Sequence, residues 1–97
     1  MAPKLSESFI TSFRANAAKH ERLQPYLRII RMNIAVGPLT TLTVTDGNKA
    51  LEIHLSNKMA EKAEHGGKLI GRVVHITGWK MIEVYRTETM LVTYFMV

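Results

Sequence analysis

Residues 39–55 read LTTLTVTDGNKALEIHL. Side chains alternate along a strand, so Leu42 and Val44 take one face while Thr41, Thr43 and Thr45 take the other. Asp46-Gly47-Asn48 then interrupts the pattern. Glycine supplies a positive φ there, and Asp and Asn bond the backbone of a tight turn. Leu51, Ile53 and Leu55 resume the alternation against Glu52 and His54. Two strands in matched phase around such a turn predict an antiparallel hairpin with one apolar face.

Upstream, Tyr26 to Val36 is rich in Ile, Leu and Val and reads as a long first strand. Leu27 and Ile29 share one face; Ile30, Met32 and Ile34 share the other. That one-residue change of phase predicts a bulge or bend near Ile29–Ile30, a device that closed small barrels use. Gly37-Pro38 ends the strand. Before it, residues 5–18 read as a helix. Leu5, Phe9, Phe13 and Ala17 recur every four residues as one stripe. Ser6 is the expected N-cap, with Leu5 and Ile10 as a hydrophobic staple around it. Lys19 to Gln24 is a polar connector, and Pro25 biases the chain toward extended structure.

Downstream, Ser56 or Asn57 caps an expected short helix from Lys58 to Glu64, with Gly66 as its stop. Leu69 to Thr77 reads as a fourth strand, with Val73 and His75 opposite Val74 and Ile76. Gly78 bends or ends it. Trp79–Tyr85 and Met90–Val97 form a final ribbon around Arg86-Thr87-Glu88-Thr89. Five strands with a helix between the third and fourth predict a mainly β domain, the five-stranded OB-fold barrel, preceded here by an N-terminal helix.

At 97 residues the chain is expected to form one domain, residues 1–97. Its 46% apolar content suits a globular core. No apolar run approaches the ~20 residues of a membrane-spanning helix. Met1-Ala2-Pro3-Lys4 does not begin a secretory signal. The absence of cysteine excludes disulfides and thiolate metal sites. The 13 Lys and Arg against 8 Asp and Glu give a net charge of +5, which favours polyanionic partners and also keeps a small domain soluble.

The candidate partner-binding residues are Arg28, Arg31, Thr41, Thr43, Lys80 and Arg86. A guanidinium presents a planar fork of donors that matches a carboxylate or a phosphate. Thr41, Thr43 and Thr45 place hydroxyls on one sheet face, as many solvated strands also do. For single-stranded nucleic acid the candidates are Arg31, Trp79, Tyr85 and Arg86, because single-strand binders stack bases on aromatic rings. Phe9 and Phe13 belong to the helix stripe and the core, so few aromatics remain for that task. His20, His54, His65 and His75 lack zinc-site spacing, and no metal or other cofactor is expected. Gly66-Gly67-Lys68 lacks the frame of a phosphate loop. No Gly-x-Ser-x-Gly motif or convincing acid pair is present, so no catalytic residue and no enzymatic activity is expected.

In order and spacing the chain resembles the N-terminal domain of the large subunit of replication protein A. The resemblance rests on Leu5-Ser6-Glu7, Pro25-Tyr26-Leu27-Arg28-Ile29-Ile30, Leu42-Thr43-Val44-Thr45-Asp46-Gly47 and Gly71-Arg72-Val73-Val74-His75-Ile76. It implies an OB-fold recruitment platform in a nuclear single-strand DNA-binding complex for replication and repair. A basic groove there would accept acidic amphipathic segments of checkpoint and repair proteins, with weak contact to single-stranded DNA. It also implies other subunits of a heterotrimer, joined through parts of a longer chain that this domain begins. The chain departs from the family at Leu39-Thr40-Thr41, where second-strand arginines are usual, and at Glu88 and Thr89. Two alternatives follow: a groove rebuilt from Arg28, Arg31 and Lys80, or a weaker one.

Overall fold

The computed structural model of the chain describes residues 4–17, 19, 22–34, 40–65 and 68–97. The expected break at Gly37-Pro38, the stop at Gly66 and the candidate His20 lie outside them, as do positions 35, 36 and 39 of the expected strands. The elements, in chain order, are α1 (Phe9–Ala15), β1 (Tyr26–Asn33), β2 (Thr41–Thr45), β3 (Ala50–Leu55), α2 (Asn57–His65), β4 (Val73–Val84) and β5 (Thr87–Met96). The strands close into a barrel in the order β1-β2-β3-β5-β4. Every strand contact is antiparallel except β3 with β5, which is parallel. Five strands in this order, with a helix between the third and fourth, are the OB-type barrel that the alternation predicted.

The β2–β3 hairpin sits as its sequence dictates. Leu42, Val44, Leu51, Ile53 and Leu55 are buried, and Leu42 lies opposite Ile53 and Val44 opposite Leu51. Gly47 takes φ 100, which costs glycine nothing and other residues much. The bulge in β1 is also present. Ile29 pairs with Val44 and Arg31 with Thr43, so Ile30 is the extra residue.

Three boundaries differ from the sequence reading. Helix α1 is seven residues long, shorter than the stretch 5–18, and Ser6 does not cap it. The Ser6 hydroxyl instead accepts the Tyr26 N–H at 2.8 Å, while the Ser6 N–H donates to the Tyr26 carbonyl at 2.9 Å. Ser6 thus ties the leading segment to β1 and is spent before the helix begins. Asp46 takes over the capping: the Ile10 N–H donates to its Oδ2 at 3.0 Å. Strand β4 starts at Val73, because Leu69 to Arg72 forms a turn closed by the Arg72 N–H to the Leu69 carbonyl, with Gly71 at φ 90. It then runs unbroken through Gly78, where the register with β5 shifts on both sides. The last turn is Tyr85-Arg86, two residues earlier in mean position than expected. Both have positive φ (50 and 64), so Thr87 already belongs to β5.

The core gathers Phe9, Ile10, Phe13 and Ala17 from the helical end and the inward residues of all five strands. Trp79 joins the two parts. Its ring meets Phe9 edge-on at 6.0 Å and Phe13 at 5.6 Å, and its Nε1–H donates to the Leu23 carbonyl at 2.8 Å. Helix α2 is capped as expected, with the Met59 N–H donating to the Ser56 hydroxyl at 3.3 Å.

Candidate functional site

In a regular strand, residues three apart point to opposite faces. The extra residue at Ile30 cancels that. Arg28 lies opposite Thr45 and Arg31 opposite Thr43, and those two threonines share the outer face of β2. Both arginines are therefore outward and exposed, and neither has a hydrogen-bond or ionic partner among the described residues. Thr43 is half-buried between Arg31 on one side and Glu52 on the other.

The other candidates are placed differently. Thr41 is buried, so it offers no free hydroxyl. Thr45 spends its own on the turn, donating to the Lys49 carbonyl at 2.7 Å and accepting the Gly47 N–H at 3.0 Å. Lys80 is exposed but pairs with Leu91 on β5. Val73, the β4 partner of Arg28, is seven residues before Lys80, roughly 20 Å by strand rise. Arg86 is farther still along the same ribbon, exposed in its turn. Arg28 and Arg31 thus lie on β1, and Lys80 and Arg86 on the β4–β5 ribbon. Trp79 is 7% exposed and fully engaged by α1 and Leu23, so it presents no stacking face. Tyr85, at 97% exposure, is free.

A groove of about 330 Å³ opens between β3 and the β4–β5 turn, where the Thr89 hydroxyl donates to the Glu52 carbonyl at 2.6 Å. Leu51 and Val84 supply apolar lining, and Tyr85 stands at its edge. Its charged residues are Glu52, Glu88 and Arg14, and the Arg14 guanidinium is occupied with the Ala50 carbonyl at 2.7 Å. Two carboxylates make this groove a poor receptor for an acidic ligand. His54 lines it, while His75 stacks on Tyr26 with ring centroids 4.1 Å apart, so the two histidines serve separate places. No group of three or more metal-ligating side chains occurs among the described residues.

Sequence reasoning passed over Arg72 as a site residue. The Ile29 N–H donates to its carbonyl at 2.9 Å, and the Gly71 N–H donates to the Ile29 carbonyl at 2.6 Å. Arg72 is exposed and has no partner among the described residues; its pairing with Ile29 sets it on the face opposite Arg28. The pairing spans more than 40 positions of sequence, so no local pattern announces it.

Fold and surface together define a small OB-type barrel with a cationic first strand. The chain matches no known family model and no curated protein sequence. No helix among the described residues is long and apolar enough to cross a membrane.

Proposed function

We propose that this barrel is a protein-interaction module of a nuclear replication and repair complex that binds single-stranded DNA, as the sequence resemblance implies. Its task is to recruit acidic amphipathic segments of DNA-damage-response proteins. The observation that carries the reading is the β1 bulge. It turns Arg28 and Arg31 to one outer face, unpartnered, in a chain of net charge +5. Free guanidinium groups already turned outward need little reorganisation to meet a carboxylate. Binding is expected on the order of micromolar, because the segment must order as it docks, and it weakens with salt.

Single-stranded nucleic acid is the second reading, favoured by the Tyr26–His75 stack. That flat aromatic pair lies two residues along β1 from Arg28 on the same outer face. The test is a pair of titrations at low and high salt, one with an acidic amphipathic peptide and one with oligo-dT, followed by backbone amide shifts. Saturable peptide binding with weaker oligo-dT binding supports recruitment. Oligo-dT binding with no peptide response rejects it in favour of the second reading.

A further inference from the structure

Glu83 and Glu88 stand directly opposite each other in the β4–β5 ladder, and both are exposed. Like charges so placed repel. The carboxylates of Glu52, Glu83 and Glu88 have no hydrogen-bond or ionic partner among the described residues. Two of them, Glu52 and Glu88, line the groove between β3 and the β4–β5 turn. Arg14 lines it too, but gives its guanidinium to the Ala50 carbonyl and forms an ion pair with neither acid. A chain of net charge +5 thus holds a locally acidic hollow. Part of its lining is apolar: Leu51 is buried, Val84 is half-buried, and Tyr85 stands exposed at the edge. A metal ion of the hard type wants oxygens all round and gains nothing from such walls. An organic cation on an aliphatic stem matches both the walls and the acids.

We propose that this groove is a second binding site, independent of the β1 arginines, and that it receives an arginine side chain from a basic segment of a partner protein. The stem of that arginine lies along Leu51 and Val84. Its guanidinium offers donors in a planar fork, which serves Glu52 and Glu88 together although they come from different strands. The Tyr85 ring is free to cover the flat face of the cation. The volume, about 330 Å³, is at the small end of ligand pockets and suits one long side chain with part of its backbone. Charge complementarity excludes acidic segments and nucleic acid from the same groove.

The experiment titrates the full 97-residue chain with a short capped peptide of Gly, Ser and Leu around one central Arg. Backbone amide shifts are expected to centre on Glu52, Val84, Tyr85 and Glu88, with affinity falling as salt rises. Citrulline in place of the Arg keeps its shape without its charge and is expected to weaken binding about tenfold. Glu52→Gln and Glu88→Gln in the protein are expected to do the same, and Tyr85→Ser to cost about threefold. Glu61→Gln makes the same charge change on α2 and is expected to alter affinity less than about twofold. Because Glu88→Gln removes the like charge opposite Glu83, it is expected to melt no lower than the wild type, which separates a lost contact from a lost fold. Should it melt lower, Glu52→Gln carries the comparison. Absence of binding at millimolar peptide, or equal binding of the Arg and citrulline peptides, overturns the site. Shifts confined to β1 overturn its location, and tighter binding of a Lys peptide overturns the choice of arginine. None of these results bears on recruitment through Arg28 and Arg31, which stands or falls with the acidic peptide.

Discussion

Asp46 is a turn residue by its sequence context, and its Oδ1 accepts the Asn48 and Lys49 N–H groups at 2.9 Å as an Asx turn requires. Its other oxygen holds Ile10, 36 positions away. One carboxylate thus fixes the hairpin and fastens α1 to it. Burial pushes its pKa up, but the backbone donors of Lys49, Asn48, Ile10 and Asp46 itself outweigh that and hold it below the ordinary carboxylate range. A lowered folded-state pKa means the unfolded chain takes up the proton first on acidification. The stability it contributes is complete above the unfolded value, near 4, and is lost as pH falls through the folded value. Asp46→Ala is expected to lower the unfolding free energy by about 2–4 kcal/mol in urea titrations, because buried N–H groups lose their acceptor. Asp46→Asn is expected to flatten the decline of melting temperature between neutral and acid pH.

Among the elements, the β4–β5 ribbon departs furthest from its sequence reading. A two-residue turn with both φ positive matches the twist of the flanking strands, and Asn-Gly is its usual sequence. Here Tyr85 and Arg86 occupy those positions at φ 50 and 64. Nothing local announces a turn there, which is why the strand pattern suggested a later one. The ribbon imposes it through the pairing of Val84 with Thr87 and the ladder behind it. Side chains with a Cβ are strained in this region by roughly 1–2 kcal/mol per residue. Replacing Tyr85 with Asn and Arg86 with Gly together is expected to raise stability by about 1–2 kcal/mol, read as a higher urea midpoint at unchanged slope. In β1 the opposite holds: the change of phase at Ile29–Ile30 was visible as a sequence pattern and appears as the bulge that orients the arginines.

For the molecule as a whole, barrel closure is uneven. The β4–β5 ribbon is registered from His75–Met96 to Val84–Thr87, while β3 is in register with β5 at His54–Leu91 and Leu55–Val92, with the Thr89 hydroxyl donating to the Glu52 carbonyl at 2.6 Å and the Ser56 N–H to the Val92 carbonyl at 3.0 Å. The seam is therefore expected to open at lower free energy than the β4–β5 ladder. In native-state hydrogen exchange, amides bonded across β3–β5 are expected to exchange faster than those in the middle of the β4–β5 ladder. Equal protection would mean that the barrel opens only as one unit. Beside the seam lies the groove that carries Glu52 and Glu88. The surface charge of this basic chain is thus divided by region, which net charge alone does not express.

Alternating side chains, the Asp46-Gly47-Asn48 turn and the β1 phase change determined the barrel and its strand count, because these are short-range patterns written in neighbouring residues. Site assignment was less legible. Whether Trp79 stacks outward or packs inward depends on α1 arriving from 70 positions earlier, and it packs inward. Whether Arg28 lies level with Lys80 or with Val73 depends on the register in which β4 closes the barrel beside β1, and Arg28 pairs with Val73. Such choices follow from closing a sheet on itself, which pairs residues distant in sequence, so only the tertiary structure makes them.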